Sequence, residues 1–241
     1  KLHARRVLSR EGFAVPPFAH AETVPDVERF AARHGWPLIA KAPRGGYDGR
    51  GVWTIAGPAD AAPLLEGVAG GLLLEPRLRI ERELAVLVAR SSAGECAAYP
   101  VVETVQREAM CREIIAPAPV DAAVADQARR LALDIAERIG AVGILAVELF
   151  LTPGGLVLNE LALRPHNSGH FTIEGAVTSQ FEQHLRAILG WPLGPCDLRA
   201  PAVATVNVIG GEEDHDPRRD IAWALTVPDV HVHLYDKAPA P

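Results

Sequence analysis

The sequence is poor in cysteine: Cys96, Cys111 and Cys196 are the three in 241 residues, with no C-x-x-C pair among them. A disulfide framework and a structural zinc knuckle are thereby excluded, and a reducing cytoplasm fits best. No apolar run reaches the roughly 18–20 residues that span a bilayer, so an integral membrane protein is excluded too. The opening stretch, Lys1 to Phe13, is a charged helical pattern without the apolar segment of a signal peptide. No polybasic block is present, and 24 basic residues face 30 acidic ones for a net charge of −6. Extended nucleic-acid binding is therefore set aside, while a local basic pocket for a small anion is not. Nor is there an internal repeat or a low-complexity tract. What is there is ordinary globular composition, 49% hydrophobic and 22% charged, on a chain long enough for one large domain or two small ones.

Periodicity and punctuation predict helices over 2–11, 25–34, 59–68, 121–139 and 179–189. The fourth has the strongest pattern, with Val124, Ala128, Leu131, Ile135 and Ile139 on one stripe, Asp121 as a cap and Gly140 as a stop. Ser179 and Glu182 form a capping-box pattern at the start of the last. Strands are expected over 37–41, 52–55, 72–75, 83–90, 96–104, 144–151, 156–161 and 202–209, followed by a β-rich end. Helices mixed with several hairpins argue an α+β fold with antiparallel sheets and against a doubly wound parallel one.

Three constellations carry possible chemistry. The first is the hairpin Ala146-Val-Glu-Leu-Phe-Leu and Leu156-Val-Leu-Asn-Glu-Leu161. With 153–155 as its loop, Glu148 lies opposite Glu160, on one face. Facing carboxylates repel, and a divalent cation between them removes the penalty, which suits magnesium and nucleotide phosphates. Asn159 joins the pair only if the strand bulges there. The alternative is a solvated or protonated carboxylate at a sheet edge.

The second is the glycine loop between strands, Arg44-Gly-Gly-Tyr-Asp-Gly-Arg-Gly51, with glycines at 45, 46, 49 and 51. It matches neither a P-loop nor G-x-G-x-x-G. With Lys41 upstream and Arg44 and Arg50 in it, a flap over phosphates is expected; a plain β-turn is the alternative. The third is Arg164-Pro-His-Asn-Ser-Gly-His170. An arginine among polar donors suits a small oxyanion such as bicarbonate. Zinc at His166 and His170 is the rival, but Pro165 and Gly169 argue against the helix that would align them. Taken alone, Glu83 and the stretch Glu75 to Leu78 read as ordinary strand ends, His184 as a packed or surface histidine, and the cysteines as structural.

Together these strings, with Glu83-Leu-Ala-Val and Asn159-Glu160, resemble the 5-(carboxyamino)imidazole ribonucleotide synthase family, ATP-grasp enzymes of de novo purine synthesis, in order and over nearly the whole chain. The resemblance implies ATP-dependent carboxylation of aminoimidazole ribonucleotide by bicarbonate through carboxyphosphate, without a covalent enzyme intermediate. It implies that Lys41 and the flap (Gly46, Tyr47, Asp48, Gly49, Arg50, Gly51, Val52) contact ATP phosphates. Glu75, Pro76, Arg77 and Leu78 would hold adenine and Glu83 the ribose, with Gln106 a weaker candidate. Glu148 and Glu160, with Asn159 alongside, would hold magnesium, for which manganese can substitute. Tyr47, Asp48 and Lys237 would face the ribonucleotide, and Arg164, His166 and Asn167 the bicarbonate. A cytoplasmic homodimer is expected.

The same resemblance divides the chain into an ATP-grasp core over 1–195, with a glycine-flap subdomain at about 36–104 and a metal and substrate subdomain at about 105–195, and a β-rich C-terminal domain over 196–241. Relative to that family, an N-terminal domain and a basic C-terminal stretch are missing. The alternatives are another ATP-grasp ligase or formyl-transferring purine enzyme, and a non-catalytic nucleotide-binding fragment.

Overall fold

The computed structural model describes residues 1–45, 51–107, 110–208 and 218–235. They fall into two units, Lys1–Val206 and Asn207–Pro241.

The first unit opens with helix α1 (Leu2–Arg10), strand β1 (Ala19–Ala21) and helix α2 (Val24–His34). Thr23 and Asp26 close a complete capping box on α2. Strands β2 (Leu38–Lys41) and β3 (Val52–Ile55), helix α3 (Pro58–Gly67) and β4 (Leu72–Pro76) complete a four-stranded antiparallel sheet in the order β1-β4-β2-β3. α2 and α3 pack Val27, Phe30, Ala31 and Ala61 on its buried leucines and alanines.

The second sheet begins at β5 (Arg82–Arg90) and adds β6 (Cys96–Ala98), β7 (Val102–Arg107), β8 (Met110–Ala116), β9 (Gly143–Thr152), β10 (Gly155–Ala162) and β11 (Val203–Val206). Its order is β10-β9-β5-β7-β8-β11, with β6 on the far half of β5. Helix α4 (Ala122–Arg138) covers one face. Its Ala128, Ala132 and Ala136 let it approach closely, and Ile135 is buried in the same core as Leu84, Val86 and Val147. Helices α5 (Thr172–Gly175) and α6 (Gln180–Ile188) follow the hairpin β9–β10.

Several expectations change. The division between the sheets falls at residues 77–81, so β5 lies with the hairpin that carries the acidic pair, not with the glycine loop. The run 96–104 is broken into β6 and β7, because Pro100 has no N–H to give a ladder. β8 is an additional strand: Arg112 and Glu113 interrupt its apolar alternation, and pairing with β7 and β11 supplies the order instead. Asp121 is the N-cap of α4 but makes no side-chain capping bond. In the second unit the described residues hold a helix, α7 (Arg218–Ala224), and no strand, where a β-rich end is expected. Arginine and alanine at its positions favour a helix, and Leu225 N donates to Ile221 O at 2.9 Å.

Candidate active site

Glu148 and Glu160 face each other across β9 and β10. The register that brings them there differs from the one expected. The turn is two residues long, Pro153-Gly154, with Thr152 paired to Gly155, which by itself would put Val157 opposite Phe150 and Asn159 opposite Glu148. A β-bulge at Asn159 then inserts one residue and restores Glu160 to Glu148. The bulge also turns the Asn159 side chain to the same side, where its Nδ2 donates to Glu148 Oε2 at 3.2 Å. Burial first, then the charges of Glu160 and Glu83, push the Glu148 carboxyl up to about 7, against the pull of Lys1 and Lys41. Lys1 Nζ lies 2.7 Å from Glu160 Oε2. The donor set is two facing carboxylates, both hard, with the Asn159 amide turning its Nδ2 to Glu148 and its Oδ1 to Lys41, and the charges of Lys1 and Lys41 do not offset the burial of Glu148. A divalent cation of the magnesium type meets both conditions.

A second group of charges adjoins the first. Glu75, at the end of β4, is 3% exposed and takes two cations: Arg5 of α1, and Lys41 of β2 at 2.7 Å. Arg5 is 4% and Lys41 8% exposed, so the buried trio carries one net positive charge. Burying that excess stabilises nothing by itself; it suits an anionic ligand at Lys41. Lys41 Nζ also donates to Asn159 Oδ1 at 3.2 Å, joining the two sheets. Arg5 grips the bulge from behind, donating to Leu158 O and Asn159 O at 2.8 Å each. Sequence reasoning misses Arg5. The available signal was its place three residues before Leu8, on the buried side of an otherwise charged helix.

The loop after β10 brings in the third group. His166 Nε2 lies 3.4 Å from Glu148 Oε1. Its Nδ1 accepts from Ser168 N at 3.3 Å and sits 2.9 Å from Ser168 Oγ, which places the ring proton on Nε2, toward Glu148. Asn167 begins a 3-10 turn over Asn167–Gly169. Arg164 is exposed, its Nη1 donating to Pro165 O at 2.9 Å. The two histidines of the zinc alternative are engaged with different partners: His166 Nε2 faces Glu148, and His170 Nδ1 lies 3.0 Å from Gln180 Nε2. His184 is packed, its Nδ1 accepting from Ile144 N at 3.0 Å.

Glu83 sits one pleat repeat from Glu148 on the same face of the sheet, paired with Phe150, and burial raises its carboxyl above the usual range while Lys41 lowers it. Pro76 ends β4, paired with Leu38, and Arg77 and Leu78 begin the connection from that sheet to β5, the strand that carries Glu83. Gly51 and Val52 close the base of the glycine loop: Val52 pairs with Lys41, Ala42 N donates to Gly51 O at 2.8 Å, and Gly51 has a φ of 74° that favours glycine. Gln106 is exposed near the end of β7 and makes no hydrogen bond to this cluster among the described residues. Gly46, Tyr47, Asp48, Gly49, Arg50 and Lys237 lie outside the described residues.

Residues 6–181 match the ATP-grasp domain family, and residues 203–241 the phosphoribosylaminoimidazole carboxylase C-terminal domain. The chain belongs to the ATP-grasp family. All of it aligns, at 49% identity, with 58% of the N5-carboxyaminoimidazole ribonucleotide synthase of Mycobacterium bovis. Among solved structures it is similar to N5-carboxyaminoimidazole ribonucleotide synthetase from Thermus thermophilus, with a TM-score of 0.86 and 38% identity over 100% of this chain and 64% of that one. It is also similar to N5-carboxyaminoimidazole synthase from Aspergillus clavatus in complex with ADP and 5-aminoimidazole ribonucleotide, with a TM-score of 0.85 and 32% identity over 98% of this chain and 63% of that one. The chain thus spans less than two thirds of the length of these relatives. No helix among the described residues is long and apolar enough to cross a membrane.

Proposed function

We propose that this chain is the ATP-grasp core of a carbon–nitrogen ligase that carboxylates 5-aminoimidazole ribonucleotide, using bicarbonate and ATP, to 5-(carboxyamino)imidazole ribonucleotide, ADP and phosphate in purine synthesis. One observation carries the reading: Lys41, Asn159, Glu148 and His166, from two sheets and a loop, form a single chain of contacts beside a buried net positive charge. The similarity to synthases over the full length of the chain supports the choice of substrate.

In this reading ATP lies between the sheets. Residues 75–78 hold the adenine through backbone groups, Glu83 takes the ribose hydroxyls, and Gln106 stands at the edge of the pocket. Lys41 and the flap, residues 46–52, take the phosphates. Glu148 and Glu160, with Asn159 alongside, would hold magnesium, or manganese in its place, which when bound supplies charge neutralisation at the β- and γ-phosphates. A bicarbonate oxygen, oriented by Arg164, His166 and Asn167, attacks the γ-phosphorus; the bond to the bridging oxygen breaks and ADP leaves. The exocyclic amine of the ribonucleotide, held by Tyr47, Asp48 and Lys237, then bonds to the carbon of carboxyphosphate. Phosphate departs and the amine loses one proton. Lys41 stabilises the charge on the transferring phosphoryl group, and flap closure keeps water from the anhydride.

The same reading includes a cytoplasmic homodimer. Three widely spaced cysteines with no C-x-x-C pair support a reducing compartment. The exposed apolar residues Phe181, Leu185, Ile188 and Trp191, on and just after α6, supply a surface for a second copy.

Phosphate release from ATP is expected to require aminoimidazole ribonucleotide, bicarbonate and magnesium together. Release with formate or an amino acid in place of bicarbonate would point to a different ligase. Binding of magnesium and ATP without release under any combination would identify a nucleotide-binding fragment.

A further inference from the structure

Gln180, the first residue of α6, is 0% exposed, and its side-chain oxygen and nitrogen and its backbone N–H are all engaged. Its Oε1 accepts from His166 N at 2.8 Å, and its Nε2 donates to His166 O at 2.8 Å. One amide therefore satisfies both peptide groups of the residue whose imidazole faces Glu148. The same Nε2 lies 3.0 Å from His170 Nδ1, and a donating Nε2 makes that ring nitrogen the acceptor. The Gln180 backbone N donates to Thr172 Oγ1 at 2.8 Å, which in turn donates to Gly169 O at 2.6 Å. The fit is tight on the other side as well. A Cβ on Gly169 would lie 2.5 Å from Gln180 Oε1 and 2.2 Å from Leu87 Cδ2.

From this geometry we propose that Gln180 is a positioning residue that clamps the loop 166–170 and holds the His166 imidazole against Glu148. The inference rests on the ligase reading above. An amide is required rather than any polar group of that size, because the clamp needs one acceptor toward His166 N–H and donors toward His166 C=O and His170. A carboxylate at this position keeps the acceptor and loses the donors. None of these contacts reaches Lys41, Glu75 or Glu83, so the effect is separable from nucleotide binding.

The test compares Gln180→Glu and Gln180→Asn with the wild type in the full-length protein. In Gln180→Glu, kcat is expected to fall at least 30-fold and the KM for bicarbonate to rise, while the affinity for ADP stays within about twofold. The His166 ring resonance in ¹⁵N spectra at one fixed pH, assigned by its loss in His166→Gln, should move, and that of His184 should not. Gln180→Asn, which keeps the amide on a shorter arm, should recover part of kcat. Gly169→Ala, pressing on the clamp from its other side, should lower kcat in the same way. The spectra separate the two claims: a shifted His166 signal in a protein that never carboxylates the ribonucleotide sustains the clamp and overturns the ligase reading. An unmoved His166 signal with kcat within twofold of wild type overturns the clamp. So does a parallel loss of ADP affinity and melting temperature, or failure of both Gln180 variants to fold, since either marks Gln180 as part of the fold alone.

Discussion

Glu148→Gln is expected to make the ligand-free protein more stable at pH 8 while abolishing its turnover. The Glu148 carboxyl has its value near 7 in the folded protein, against 4.5 for an ordinary glutamate. The folded state therefore binds the proton more tightly than the unfolded chain. Stability is undiminished below about pH 4.5, falls as pH rises toward 7, and stays lowered above it. The shift corresponds to roughly 3 kcal/mol before screening, and to about 1–2 kcal/mol once the partial exposure of the side chain is allowed for. Glutamine keeps the acceptor for Asn159 Nδ2 and carries no charge, so it escapes that cost. Thermal unfolding should show the variant higher by about 3–6 °C at pH 8, with the difference gone near pH 4.5. Magnesium and ATP should then reverse the order, raising the wild type and leaving the variant nearly unmoved. Turnover should drop by about 10²–10³ or more, as for other losses of charge stabilisation at a reacting group. A variant that is less stable at pH 8, or that still gains stability from the nucleotide with its metal, would contradict the assignment.

Arg5→Met should have the largest effect on folding of any single change outside the hydrophobic core. It leaves Glu75 with one cation instead of two and strips the donors from the Leu158 and Asn159 carbonyls at the bulge. Breaking a buried pair in this way costs about 3–5 kcal/mol, which corresponds to about 10 °C or more in melting temperature. Freed of its rival, Glu75 also draws Lys41 closer, so nucleotide affinity should fall as well. The double variant Arg5→Met with Glu75→Gln removes both charges and should recover about 1–3 kcal/mol relative to the sum of the single changes. Arg6, the exposed neighbour of Arg5 on α1, is the control, and its replacement by Met should stay within about 0.5 kcal/mol. Equal effects at positions 5 and 6, or strict additivity in the double variant, would refute the buried trio.

The parts of this site legible in the sequence are those made by residues near one another along the chain. Glu148 and Glu160 are close enough around a Pro-Gly turn for their pairing to be proposed from spacing, although a two-residue turn and a bulge at Asn159 produce it rather than a three-residue loop. The pairing of β2 with β3 on either side of the glycine loop and the run of polar residues from Arg164 to His170 were visible for the same reason. Arg5 and Gln180 were not. Arg5 meets Glu75 and Asn159 only after α1 folds against strands far along the chain, and Gln180 reads from sequence as a polar first residue of a helix. Strand β8 was hidden because pairing on both sides orders a segment whose own pattern is weak. Of these, Arg5 alone leaves a periodic trace, three residues before Leu8 on the buried side of α1; the contacts of Gln180 and the pairing of β8 leave none.

Crystals grown with manganese and a non-hydrolysable ATP analogue would probe the ion site itself by anomalous diffraction. A peak is expected at about 2.0–2.2 Å from oxygens of both Glu148 and Glu160, touching the analogue's phosphates. Bound nucleotide with the peak elsewhere, and those two carboxylates free of it, would contradict it.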